Sequence, residues 1–170
     1  LKSNTTANNN TAVGKSALQE NTTGTQNIAV GSEALDANTT GNYNVAIGFG
    51  ALTDNQTGIR NTAIGDNALA DVNTNDNTAI GYLSARNTTG ADNTAVGSYS
   101  LSYNTSGTKN VTVGYASLYN NTTGGYNTAV GANALGANTT GVDNTAVGYL
   151  ALSTATTGNN NVAMGNNTLD

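Results

Sequence analysis

The chain has 170 residues, ten Asp and Glu against five Lys and Arg, and no His, Cys, Pro or Trp. The missing Cys and His exclude disulfides, thiolate metal sites and Ser-His-Asp or Cys-His catalysis. The acidic balance excludes the basic stripe that nucleic acid requires, and no apolar run reaches membrane-spanning length. Leu, Ile, Val and Phe together number 29, or 17% of the chain, a level associated with disorder. The net charge of −5 is too small for that class, and the chain is too regular.

That regularity is one phrase, Asn-x-(Ala/Thr)-(Val/Ile/Met)-Gly, which begins at Asn10, Asn27, Asn44, Asn61, Asn77, Asn93, Asn110, Asn127, Asn144 and Asn161. The step is 17 residues, with two steps of 16 from Asn61 to Asn77 and from Asn77 to Asn93. The period is too short for a helix pair and too long for a hexapeptide β-helix. It suits one coil of a parallel β-solenoid with two short strands and two turns. The expectation is a single all-β unit over 1–170, a β-roll of ten 16–17-residue coils. At the spacing of neighbouring strands its length is on the order of 45–50 Å.

In the reference coil, 10–26, strand one reads Asn10 to Gly14. Side chains alternate along a strand, so Thr11 and Val13 share one face and Ala12 takes the other. The β-branched and Val/Ile/Met columns are expected to point inward. The opposite column is Ala12, Ala29, Ala46, Ala63, Ala79, Ala95, Ala129, Ala146 and Ala163, with Thr112 as its one exception. A column of small residues admits close approach of another surface, and it is expected to form an inter-chain packing seam. Gly14 and its equivalents end strand one and are expected to adopt positive φ.

Strand two is expected at the x-x-Ala-Leu segment, where Leu18, Leu35, Leu52 and Leu69 begin a column broken only by Ala85. Each coil then supplies only two or three sizeable apolar side chains. Such a thin core against backbone entropy of about 1–2 kcal/mol per residue predicts association of several copies. The second turn is Asn-Thr-Thr-Gly, whole at 21–24, 38–41, 87–90, 121–124 and 138–141. Asn there suits an Asx-turn, and the phrase Asn is expected to stack as an amide ladder along the axis. Asn73-Thr74-Asn75 replaces this turn in the first short coil and is expected to tighten it. Neither end shows a distinct polar capping unit, which predicts continuation into a longer fibre.

Asn27-Ile28-Ala29-Val30-Gly31 and Asn44-Val45-Ala46-Ile47-Gly48 resemble the repeats of trimeric autotransporter adhesin heads and of bacteriophage tail-fibre-like proteins. The likeness covers nearly the whole chain. It departs in having one residue fewer between Asn and Ala, and in its longer coil. The resemblance implies a left-handed β-roll, a homotrimer and an extracellular place on a bacterial surface or a virion.

Carboxylates such as Glu20, Asp36, Asp54 and Asp71 fall in variable columns, so no glycosidase pair is expected. The Asp in every turn that calcium-binding nonapeptide repeats need is absent. No enzyme activity, cofactor, metal or membrane insertion is expected. Phe49, Tyr82, Tyr115 and Tyr149 follow the turn Gly outside the core columns. They are candidates for stacking on a cell-surface glycan or meeting a host receptor, or for simple aromatic cover of neighbouring coils.

Function is therefore expected to be structural or adhesive: a fibre segment that extends or presents a surface-binding region. The alternative is an ice-binding solenoid. Thr11, Thr62, Thr78, Thr94, Thr128 and Thr145 share a column, but their shared parity with Val13 points them inward, which counts against that alternative.

Overall fold

The computed structural model describes residues 2–169. It contains ten three-residue strands: β1 (Thr11–Val13), β2 (Ile28–Val30), β3 (Val45–Ile47), β4 (Thr62–Ile64), β5 (Thr78–Ile80), β6 (Thr94–Val96), β7 (Val111–Val113), β8 (Thr128–Val130), β9 (Thr145–Val147) and β10 (Val162–Met164). They form one parallel sheet in the order β1 to β10, and no helix occurs among the described residues. Thr11 pairs with Ile28 and Ala12 with Ala29. The same columns pair across the shortened coil, Thr62 with Thr78 and Ala63 with Ala79. The chain is a β-solenoid in which each repeat is one coil, numbered here by its strand.

The expected second strand is absent. Its place is taken by a turning segment that returns the chain past the sheet. The reason lies in the adjacent pair Ala17 and Leu18, both buried. Neighbours on a strand must point to opposite faces, so two consecutive inward side chains require a non-extended backbone. Ser16 and Leu18 have φ of 58° and 51°, and Glu33 and Leu35 repeat this in the next coil at 61° and 55°. A left-handed Leu is costly, of order 1–2 kcal/mol. It is held because the turned backbone still bonds along the axis. Leu18 N–H donates to the Ala34 carbonyl at 3.0 Å, and Glu33 N–H donates back to the Lys15 carbonyl at 2.8 Å.

The sheet's inner and outer faces are the reverse of the expectation. Ala29, Ala46, Ala63, Ala79, Ala95, Ala129 and Ala146 are fully buried within a single chain, and Ala163 nearly so. Ala12, in the first coil, is partly buried against the same core. The Ala column is therefore interior and not available as a seam between chains. The β-branched and Val/Ile/Met columns face outward. The physical reason is thickness. The returning segment contributes a fully buried Leu from the far side, as at Leu18, Leu35, Leu52 and Leu69. Across so thin a coil only a small side chain fits opposite it, a methyl in nine coils and Thr112 in the tenth. The small column thus marks close approach inside one coil.

The glycine that ends each strand is required by the same compactness. Gly65 has φ of +137°, and a Cβ there would lie 2.4 Å from the Gly81 carbonyl oxygen. No L-residue fits without displacing the next coil.

Candidate functional site

Two columns of buried asparagine line the corners of the coil. The phrase asparagines begin each strand, and their role was expected from sequence. Asn44 shows the pattern. Its side-chain N–H donates to the Gly58 carbonyl at 2.8 Å, closing its own coil. Its Oδ1 accepts the backbone N–H of Asn61 at 3.0 Å, joining the next. Asn61 Nδ2 adds a contact to the same oxygen at 3.2 Å. The second column, from the Asn-Thr-Thr-Gly turn, is also a ladder. Asn38 Nδ2 donates to Asn21 Oδ1 at 2.8 Å and to the Gly41 carbonyl at 3.1 Å. These residues are structural, since their amides bond to the turn or to the neighbouring coil.

The short coils keep their bonds by substitution. In a regular coil the Thr39 carbonyl accepts N–H groups from Thr22, Thr23 and Gly24. In coil 4 one turn residue is missing. Asn73 Oδ1 takes over and accepts from the backbone of Gln56, Thr57 and Gly58 at 3.1, 2.8 and 3.2 Å. A side-chain amide oxygen thus stands in for a main-chain carbonyl. The exceptional Thr112 in the Ala column is similarly accommodated. Its hydroxyl meets Ser100 at 2.6 Å, and Ser100 meets Ser117 at 3.0 Å, so serines replace Ala in the facing column where that hydroxyl enters.

The outward face of the sheet is the first surface that a partner would meet. One rank on it is Val13, Val30, Ile47, Ile64, Ile80, Val96, Val113, Val130, Val147 and Met164. Val13 is 58% exposed and Met164 70%, while Ile47, Ile64 and Ile80 are 36–38% exposed. The parallel rank holds Thr11, Thr62, Thr78, Thr94, Thr128 and Thr145, interspersed with Ile28, Val45, Val111 and Val162. Large contiguous apolar strips on a protein surface mark contacts, and this one recurs in every coil.

The second surface is aromatic. Phe49, Tyr82, Tyr115 and Tyr149 are all exposed, and they sit at the same place in coils 3, 5, 7 and 9. Tyr82 and Tyr115 are drawn into a cluster by Tyr99, whose ring meets theirs edge to face at 5.3 and 6.0 Å between centroids. Tyr119 lies 6.2 Å from Tyr99 and 4.9 Å from Tyr103. Phe49 and Tyr149 stand outside this cluster. Tyr99, Tyr103 and Tyr119 lie outside the column of the four aromatic candidates, and the repeat pattern did not bring them together. Tyr99 follows the turn Gly by two residues, and only its left-handed backbone, φ 59°, swings it between coils 5 and 7. Hydrogen bonding with Tyr103, and then burial, push the Tyr119 hydroxyl up to about 12.

Charged groups are dispersed. Arg60 and Asp76 form a two-pronged ion pair at 2.5 and 2.7 Å on consecutive coils, and Arg86 approaches Asp71 at 3.5 Å. Burial, then the neighbouring Asp71 and Asp36, hold Asp54 above the usual carboxylate value. Among the described residues no group of His, Cys, Asp or Glu could hold a metal ion, and no helix is long and apolar enough to cross a membrane. Comparison with protein-family models, curated proteins and solved structures finds no match.

Proposed function

We propose that this chain is a non-enzymatic structural segment of an extracellular fibre, of the bacterial-adhesin or phage tail-fibre kind. In this reading it is a left-handed coil that associates as a homotrimer and holds or presents a surface-binding region. The observation that carries the reading is the apolar rank from Val13 to Met164 on the outward sheet face. It repeats once per coil, so copies set side by side meet with the same chemistry along their whole length. Ile47, Ile64 and Ile80 keep 36–38% of their surface exposed, so covering each contributes about a third of the full burial value, roughly 0.5–1 kcal/mol. A repeated seam of that kind offsets the entropy of association and supplements a core made mainly of one Leu per coil. The seam is thus the Val/Ile face and not the Ala column.

Molar mass in solution, by light scattering or sedimentation equilibrium, tests this. The expected value is three times the 17.0 kDa chain. Ile47→Lys with Ile80→Lys is expected to return it to one. A folded wild-type monomer at high concentration would sink the proposal.

A second reading gains support from the same face. Because the strand's parity is reversed, the Thr rank points outward beside the Val/Ile rank on a regular sheet. The objection to ice binding on grounds of parity therefore falls. The interruptions at Ile28, Val45, Val111 and Val162 keep this reading second. A monomer showing thermal hysteresis that is abolished by Thr78→Lys would make it first.

A further inference from the structure

We propose that the tyrosine cluster on coils 5–7 is a binding site for a neutral oligosaccharide, with one pyranose ring seated against Tyr99, Tyr103 and Tyr119. Two clefts meet there and share Tyr99 and Tyr119. One, of about 170 Å³, is lined by Leu83, Arg86, Asn87, Ser102 and Tyr103 besides the shared pair. The other, of about 370 Å³, continues past Tyr115 and Ala116 to Asn133. The composition of these walls matches the two-sided chemistry of a sugar ring. A pyranose offers a C–H face that packs on an aromatic ring, and a rim of hydroxyls that both donate and accept. Arg86 and Asn87 supply donors and an acceptor at one end, where the Ser102 hydroxyl is already donated to the Leu83 carbonyl at 2.6 Å, and Asn133 supplies both at the other. The tyrosine hydroxyls add more, and aromatic rings of this kind pair one apolar surface with one wet edge.

The solenoid also fits a chain of sugars better than a single one. Successive coils rise by about 4.8 Å, close to the length of one pyranose unit in an extended glycan. Consecutive units would then pass from the Tyr103 cleft to the Tyr115 cleft as the coils do. Neutral ligands are favoured because Asp71 lies 3.5 Å from Arg86 and balances its charge. The chain as a whole carries −5, so polyanions, nucleic acid included, are repelled. The site differs from the four aromatics after the turn glycines: it depends on Tyr99, Tyr103 and Tyr119, and it uses only Tyr115 of those four.

The test is a titration of the full chain with cellohexaose, chitohexaose, maltohexaose and mannohexaose, with oligogalacturonate as an anionic comparison. The readouts are tyrosine fluorescence, which is unmasked since Trp is absent, and saturation-transfer NMR. Saturable binding of at least one neutral hexasaccharide is expected. It should weaken at least tenfold in Tyr99→Ala and in Tyr119→Ala and be unchanged in Tyr43→Ala. Should Tyr99→Ala unfold, as far-UV circular dichroism would reveal, Tyr103→Ala is read in its place. No saturable binding by any neutral probe, binding by the anionic probe alone, or binding undiminished in the tyrosine variants overturns the proposal. The site does not rest on trimer formation: a trimer without sugar affinity removes the site and leaves the fibre reading, and a monomer with affinity does the converse.

Discussion

The two asparagine columns have the same residue, the same burial and the same axial stacking, yet one is unbroken and the other is not. The strand-start column runs from Asn10 to Asn161 without exception. The turn column reads Asn21, Asn38, Asn55, Val72, Thr88, Asn104, Asn121, Asn138 and Ala155. The difference follows from what each amide holds. A strand-start oxygen accepts a main-chain N–H of the next coil, as Asn93 Oδ1 does from Asn110 at 3.0 Å. Losing it orphans a buried backbone donor. A turn-column oxygen accepts only from another side chain, as Asn104 Oδ1 does from Asn121 at 2.7 Å. When that side chain is replaced, the cost is one acceptor left bare. Buried atoms without a partner include Asn55 Oδ1, beneath Val72, and Asn138 Oδ1, beneath Ala155. The breaks at Val72 and Ala155 thus each leave one unsatisfied oxygen in the coil before, and the break at Thr88 leaves its own buried hydroxyl without a partner.

Disrupting the backbone stacking on which both columns depend has the largest expected effect. Gly65→Ala places a methyl against the Gly81 carbonyl at a positive φ and is expected to destabilise by at least about 3 kcal/mol, read by urea unfolding. If Gly65→Ala melts like wild type, the coils are not stacked at this spacing. Next in size is the direct contrast. Asn44→Ala bares the buried Asn61 N–H and takes from the Gly58 carbonyl one of its two side-chain donors, leaving Asn55 Nδ2, and is expected to lose about 2–4 kcal/mol; Asn38→Ala is expected to lose about half as much. Equal losses in the two variants would refute the division of roles.

Repair should work in the other direction. Ala155→Asn supplies an Nδ2 for the bare Asn138 Oδ1, and a gain of about 1 kcal/mol is expected in the same unfolding assay. A loss of stability would mean that water already serves that oxygen. The smallest effect concerns pH. The Tyr119 hydroxyl titrates above its ordinary value, so the fold favours its neutral form. That contribution is complete below the unfolded value of about 10 and is lost as pH rises through the folded value. Burial first, then hydrogen bonding with Tyr82, also raises Tyr99, so absorbance titration should show lagging tyrosinates of which Tyr119→Phe removes one, with a melting temperature otherwise insensitive to pH in the neutral range.

Most of the architecture was legible in the chain because the repeat is strict. The period set the coil, the glycines marked where no Cβ fits, and the phrase asparagines marked the axial ladder. The missing residue near Asn73 was also visible, although not that its side chain would replace a carbonyl. The tyrosine cluster was only partly legible. Tyr99, Tyr103 and Tyr119 are close in sequence, but their meeting depends on a left-handed turn that no propensity predicts.

By itself, then, the sequence determined the number of coils, their parallel register and the residues that join one to the next. It could not decide which face of a three-residue strand turns inward. Alternation allows two answers, and the apolar columns at Thr11 and Val13 argued for the wrong one. The tertiary structure decided it through thickness: Ala17 and Leu18 both point inward from the returning segment, and the space left opposite such a pair holds only a small side chain, Ala in nine coils and Thr112 in one. The larger side chains were thereby left on the outer face, where partners can reach them.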